Sequence, residues 1–134
     1  MIRPPDIARH KSGNIGIPYV TIVDGKAPGP TVMISALIHG NELCGAVALN
    51  HLLSSGFTPE RGRLILAFAN VAAFSRFDSA RPYTSRFIDE DMNRLWTADK
   101  LDSRKKSVEL IRARALRPLV ESADLILDLH STSL

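Results

Sequence analysis

Two apolar runs without regular polar alternation limit the folds open to this chain more than any other feature. One covers residues 31–38 and the other covers residues 125–129. Strands of this kind are typical of sheets that are covered on both faces. Segments with helical spacing separate the predicted strands, and this order is typical of a sheet flanked by helices. The sequence therefore predicts a three-layer α/β/α fold with a mostly parallel or mixed central sheet.

Periodicity and chain-breaking residues predict the remaining elements. Two further strands are expected at residues 18–24 and 63–69, and a helix at residues 42–55. The stretch 81–96 is irregular and rich in polar groups, which is typical of a functional loop.

A second helix is predicted to begin after Ser103, a plausible N-cap residue. Pro118 is expected to kink this helix or restart it, because proline has no N–H to donate. The residues predicted for its buried side are Val108, Ile111, Ala115 and Leu119.

Composition and charge exclude several classes of partner. The chain has 134 residues, 45% of them hydrophobic, and a formal net charge of +3, which fits one ordinary globular domain. Its basic residues concentrate in residues 104–117, alongside Glu109 and Glu121. No aromatic residues interleave with them, so we expect a solvated helix face and no nucleic-acid partner. No run approaches transmembrane length, so we expect no membrane partner and a cytoplasmic location. Cys44 is the only cysteine and is read as a small buried hydrophobe.

A candidate metal site lies where the two apolar runs end. His39 follows the first run, Glu42 comes three residues later, and His130 follows the second run. Two imidazoles and one carboxylate are the ligands of a catalytic zinc with one position open. Ligands in open α/β sheets bind at the carboxyl ends of the strands, where these residues fall. Gly40 is expected to give a flexible turn and Asn41 to cap the next helix. The alternative is two unconnected structural histidines.

The segment that begins at Arg86 (RFIDEDMNR) is the second informative feature. Taken alone it favours structural pairing, in which Asp89 or Asp91 neutralises Arg86 or Arg94. Taken with a zinc site, it is interpreted as a substrate-anchoring loop. Arginine offers a planar fork of donors suited to a carboxylate or an oxyanion, and Asn93 adds an amide donor.

Three ordered motifs carry a resemblance to a known family. They are HGNE at 39–42, RFIDEDMNR at 86–94 and DLHS at 128–131. In order and spacing the chain, from about Val20 onward, resembles the succinylglutamate desuccinylase/aspartoacylase family of zinc carboxypeptidase-like hydrolases.

The resemblance implies a role for each motif. It implies one Zn²⁺ per chain, with the ligands His39, Glu42 and His130. It also implies that Arg86 polarises the scissile carbonyl and stabilises the oxyanion, while Asn93 and Arg94 bind a substrate carboxylate.

The resemblance also implies parts that residues 1–134 do not contain. The family has a glutamate general base after the third zinc ligand, and a β-rich C-terminal region. We therefore expect residues 1–134 to be the N-terminal portion of a single catalytic domain and to be inactive alone, with an uncovered final strand. Asp128 is expected to point away from His130 and to orient a helix or loop behind the sheet.

The function that these observations favour is zinc-dependent amide hydrolysis. The expected partner is a small carboxylate-bearing N-acyl amino acid, similar to succinylglutamate or N-acetylaspartate. Two alternatives stay open: a zinc carboxypeptidase acting on short peptides, and a non-catalytic metal-binding module. Whether the protein forms a homo-oligomer also stays open.

Overall fold

The computed structural model of the protein describes residues 3–132, so both ends of the expected 1–134 unit lie outside the described residues. The strands are β1 (Val20–Asp24), β2 (Ala27–Ala36), β3 (Arg61–Phe68) and β4 (Leu125–Leu129). The α-helices are α1 (Leu43–Ser54), α2 (Val71–Phe74), α3 (Ala98–Leu101) and α4 (Val108–Ser122). Turns of 3-10 helix cover Ala8–His10, Pro82–Ser85 and Met92–Arg94.

The four strands form one mixed sheet in the order β1-β3-β2-β4. Strand β2 lies parallel to both β3 and β4, whereas β1 lies antiparallel to β3. Each of the four predicted strands is confirmed. Strand β2 begins four residues earlier than predicted and ends two residues earlier, because the chain turns sharply after Ala36.

Helices cover both faces of the sheet. Successive side chains of β3 pack alternately against the helices on one face and on the other. Leu64, Leu66 and Phe68 pack into a core with α1, while Ile65 and Ala67 pack into a second core with α4. Two cores separated by one sheet make three layers. The predicted α/β/α architecture is therefore confirmed.

Helix α4 starts later than predicted, and of the four residues predicted for its buried side only Leu119 is buried. Its N-cap is Ser107, whose hydroxyl oxygen accepts a hydrogen bond from the Leu110 backbone N–H at 3.0 Å. Ser103 lies earlier, in a turn whose carbonyls the Arg114 guanidinium binds. Ile111 is 58% exposed. The buried apolar residues of the helix are Leu110, Ala113, Leu116 and Leu119. The helix continues through Pro118 without a break.

The predicted solvated face of α4 is also only partly correct. Glu109 is fully buried, and Arg112 donates to the backbone carbonyls of Pro18, Phe68 and Ala69 at 2.8–2.9 Å. Arg112 therefore binds backbone carbonyls, and Glu109 does not face solvent.

Strand β4 is the last strand of the sheet among the described residues. Leu125 is 60% exposed, Ile126 42% and Leu127 51%, so apolar side chains on both faces of the strand meet solvent. The expectation of an uncovered final strand is confirmed. None of the helices within residues 3–132 is both long enough and apolar enough to cross a membrane.

Candidate metal centre

The carboxyl ends of β2 and β4 lie side by side. Ala36 pairs with Leu129 in the parallel ladder, His130 follows Leu129 directly, and His39 lies three residues beyond Ala36. The helix after β2 and the helix before β4 pack on opposite faces of the sheet. Such a reversal opens a crevice at the strand ends, where ligands bind in α/β folds.

The chain leaves β2 through a residue in the left-handed conformation. Leu37 has φ 65° and is fully buried. The carbonyls of Ala36 and Leu37 accept hydrogen bonds of 2.8 Å from the N–H groups of Ala69 and Asn70. A left-handed leucine costs about 1–2 kcal/mol. Burial and these two hydrogen bonds hold it in place, and the turn directs His39 toward the crevice.

Gly40 is required by close packing and not by flexibility. Its φ is not positive, but a Cβ atom at this position would lie 2.5 Å from both the Ala73 carbonyl carbon and the Ser85 carbonyl oxygen. The Gly40 N–H also donates to the Arg86 carbonyl at 3.0 Å. The prediction of a flexible turn is therefore replaced by a contact that joins this turn to the loop of Arg86.

Asn41 does not cap helix α1, so that prediction is wrong. The helix begins at Leu43, Glu42 takes the cap position, and no side chain accepts a hydrogen bond there. The Oδ1 atom of Asn41 is buried without a hydrogen-bond partner. Cys44, in the first turn of α1, was expected to be buried, but it is exposed, and its Sγ lies 3.5 Å from the His130 carbonyl oxygen.

The Glu42 carboxylate lies between the two histidines. Its Oε1 atom is 2.9 Å from Nδ1 of His39, and its Oε2 atom is 2.7 Å from Nδ1 of His130. One donor atom from each residue lies within 4.8 Å of the others. His39 is 3% exposed and Glu42 5%. The structure thus brings together the three residues predicted as metal ligands, and the two nitrogens and one oxygen are donors that zinc accepts.

Each histidine is oriented by a second carboxylate on the opposite side of its ring. Nε2 of His39 is 2.8 Å from Oδ1 of Asp91, and Nε2 of His130 is 2.6 Å from Oδ2 of Asp128. Metal-binding histidines characteristically donate their second N–H to such a group, which fixes the tautomer and leaves the other nitrogen free for a metal. Both rings here therefore present Nδ1 toward the shared point.

The expectation for Asp128 is corrected by this arrangement. We expected the side chain to point away from His130, but residues two apart along a strand share one face. Asp128 binds His130, and its other oxygen lies 2.6 Å from the hydroxyl of Ser35 on β2. It orients a site residue and not an element behind the sheet.

The pKa values of His130 and Asp91 are shifted by the groups around them. Burial lowers the pKa of His130, but the hydrogen bond and charge of Asp128, followed by those of Glu42, outweigh it and raise the pKa above the usual value. Burial likewise opposes the shift of Asp91, whose hydrogen bonds with His39 and a backbone N–H bring its pKa below the usual value. Protons therefore compete with a cation for His130, so metal affinity should fall as the pH falls.

Arg86 reaches the same centre from the neighbouring loop. Its NH1 atom lies 3.4 Å from Oε1 of Glu42, and its side chain is 37% exposed. It lines a cavity of about 200 Å³ together with Asn41, Glu42, Tyr83 and Ser131, among others. The structure thus brings Arg86 to the predicted metal ligands.

The simple pairing of loop charges is not observed. The Asp89 carboxylate accepts a hydrogen bond of 2.7 Å from the Val108 backbone N–H, and Asp91 binds His39. Neither aspartate forms an ion pair with Arg86 or Arg94 among the described residues.

Asn93 and Arg94 lie farther along the loop. The Asn93 backbone N–H donates to Oδ1 of Asp91 at 2.9 Å, so the turn that carries both residues is tied to the partner of His39. The Asn93 side chain lines a second cavity, of about 230 Å³, that also contacts Asp128. Arg94 is exposed, and its guanidinium donates to the Asn93 carbonyl at 3.4 Å. Neither residue lines the cavity that Arg86 enters.

Comparison with known proteins shows the family of the chain. The sequence model of the succinylglutamate desuccinylase/aspartoacylase catalytic domain matches residues 28–134. The chain belongs to this family. The resemblance drawn from the three motifs is thereby confirmed.

Similar proteins in the family are longer. A human N-acyl-aromatic-L-amino acid amidohydrolase (carboxylate-forming) is 30% identical over 119 residues, which cover 81% of this chain and 35% of the relative. Mouse aspartoacylase is 30% identical over 117 residues, which cover 81% of this chain and 36% of the relative. The crystal structure of succinylglutamate desuccinylase from Vibrio cholerae matches with a TM-score of 0.67 at 25% identity, covering 88% of this chain and 36% of the other. The chain spans about a third of the length of these relatives.

Replacing Gly40 by alanine tests the contact that joins the ligand turn to the loop. The new methyl group would overlap backbone atoms that cannot move aside, so Gly40→Ala should lower the free energy of unfolding by at least about 3 kcal/mol, the upper end of the usual overpacking range. Urea denaturation measures this loss. Gly16→Ala is the control, because its Cβ meets open space and its φ of 79° adds only conformational strain of about 1–2 kcal/mol. Equal losses in the two variants would contradict the overlap.

Proposed function

We propose that this chain is part of a zinc-dependent hydrolase that cleaves the amide bond of an N-acyl amino acid. The observation that carries the proposal is the shared orientation of His39 and His130. Both rings present Nδ1 to the Glu42 carboxylate, and both Nε2 atoms are held by aspartates. Family membership supports the same class of reaction.

The proposed zinc ligands are His39, Glu42 and His130. When bound, zinc supplies a Lewis acid that polarises a carbonyl and lowers the pKa of bound water to about 7. Three protein ligands leave one of the four positions of a tetrahedral zinc site for water or substrate. Ligation would replace the present short contacts between the Glu42 carboxylate and the two Nδ1 atoms.

Arg86 is proposed to stabilise the developing oxyanion. Among the lysines and arginines of residues 3–132, it is the one that forms an ion pair with Glu42. Its fork of N–H donors can bind an oxygen that gains charge, and the loss of one such donor typically lowers kcat by about 10²–10³. A remote carboxylate of the substrate would bind Arg94 and Asn93, which the Asp91 contact fixes relative to His39.

The general base is proposed to come from a part of the protein outside these residues. The carboxylates at the site are already engaged, Glu42 with both histidines, Asp91 with His39 and Asp128 with His130. We therefore propose that residues 1–134 are the N-terminal portion of one catalytic domain. The same observation favours a second candidate, a metal-binding module without hydrolytic activity.

Zinc binding is the first test of this proposal. The chain should bind one zinc ion, and His39→Ala should reduce the bound zinc to background because a buried ligand is lost. Elemental analysis after dialysis against zinc measures the content. His51→Ala is the control, since His51 is exposed on α1. Equal zinc in wild type and His39→Ala would show that the ligand assignment is wrong.

The two arginines should differ in their kinetic effects in a catalytically complete protein. Arg86→Ala should lower kcat by about 10²–10³, because its contact strengthens in the transition state. Arg94→Ala should mainly raise KM for an N-acyl amino acid and should abolish the preference for the free acid over its methyl ester. Arg104→Ala, an exposed arginine outside the loop, is the control. Wild-type kinetics in both loop variants would overturn the assignment.

Hydrolysis of N-acetylaspartate and N-succinylglutamate separates the two candidate functions. The rate of hydrolysis by the zinc-loaded 134-residue chain should be about 10²–10⁴-fold lower than that of a longer protein that carries the whole family domain. A general base contributes a factor of this size. Comparable rates would place the base within the 134 residues. No hydrolysis by the longer protein, tested with short peptides as well, would favour the metal-binding module.

A further inference from the structure

Glu109 is a fully buried carboxylate that no catalytic step uses. It lies in the first turn of α4 and is 0% exposed. Its Oε1 atom accepts from the Ile88 backbone N–H at 2.6 Å and from the Asn70 side-chain amide at 3.1 Å. Its Oε2 atom accepts from the backbone N–H groups of Asp89 and Glu90 at 3.0 and 3.3 Å. Both oxygens of one side chain thus bind four donors.

The loop returns a contact to the same helix end. The Asp89 carboxylate accepts a hydrogen bond of 2.7 Å from the Val108 backbone N–H. The loop and α4 are therefore joined in both directions. Glu109 of the helix accepts from loop backbone N–H groups, and Asp89 of the loop accepts from a helix backbone N–H. Carboxylate–N–H hydrogen bonds are shorter and stronger than neutral ones, and a helix start favours negative charge. These hydrogen bonds fix residues 88–90 against α4.

This anchored segment lies between the functional parts of the loop. Arg86 is two residues before it, and Asp91, the partner of His39, follows it directly. Asn70 connects the same carboxylate to the end of β3, because it lies two residues after that strand and its side-chain amide donates to Glu109. Its side-chain oxygen accepts from the Ala73 backbone N–H and so caps α2. Glu109 therefore links the loop, the helix and the sheet edge that faces the crevice.

We propose that Glu109 is a positioning residue for the metal centre and for Arg86. It acts through residues 88–90 and touches neither substrate nor metal, and this role rests on the proposed function. Glutamine cannot replace it, because an amide has one acceptor oxygen and would direct an NH₂ group at N–H donors. Misplacement of a catalytic group by about 1 Å can lower a rate about 100-fold.

Glu109→Gln tests the proposal by three measurements on the catalytically complete zinc protein. Hydrogen exchange of the residue 88–90 amides should accelerate about tenfold or more relative to other amides of similar protection in the sheet. Zinc should bind about 10–100-fold more weakly, as expected when the support of a ligand is lost. The value of kcat should fall about 10–100-fold, with a smaller change in KM.

Glu121→Gln is the matched control, since Glu121 is an exposed glutamate of the same helix that pairs with Arg117. If Glu109→Gln does not fold, Asp89→Ala removes the reciprocal contact and should change the same three quantities in the same direction. Unchanged loop exchange, zinc affinity and kcat in a folded variant would overturn the proposal. Failure of the wild-type protein to hydrolyse any N-acyl amino acid would instead overturn the proposed function, and the exchange and zinc measurements would still decide whether Glu109 positions the site.

Discussion

The contact between Glu42 and the two histidines depends on the register of two neighbouring strands. His39 follows β2 and His130 follows β4, and a shift of one residue in either strand would move a ring by about 3.3 Å. Close packing of α1 helps to fix that register. A Cβ atom on Gly45 would lie 2.9 Å from the Cβ atom of Leu129, so the helix that begins beside Glu42 lies directly against the end of β4. Sheet, helix and candidate metal centre therefore share one set of contacts.

The features that the sequence predicted correctly are local in the chain. Apolar runs mark buried strands, and polar residues directly after them mark the crevice, so His39, Glu42 and His130 were identifiable without knowledge of any distant contact. The same reasoning gave the three layers, because helical segments alternate with the strands. Arg86 was identified by the resemblance and not by spacing, since nothing within its own loop reveals that its guanidinium reaches Glu42.

The features that the sequence did not predict depend on distant contacts. Glu109 and Glu121 have the same charge and lie on the same helix, yet only Glu109 is buried by loop amides that are some twenty residues away. The start of α4 depends on Arg114, whose bonds to preceding carbonyls hold the turn before Ser107. Asp128 is different, because the two-residue period of a strand does place its side chain beside that of His130.

The geometry of the two rings predicts that both histidines bind zinc through Nδ1 while the aspartates hold Nε2. Nitrogen-15 NMR of the zinc-loaded chain tests this, with His10→Gln and His51→Gln used to remove the other two imidazoles. We expect a proton on Nε2 and a metal-shifted Nδ1 resonance for His39 and for His130. Metal on Nε2 of either ring, or no change in either ring when zinc is added, would contradict it.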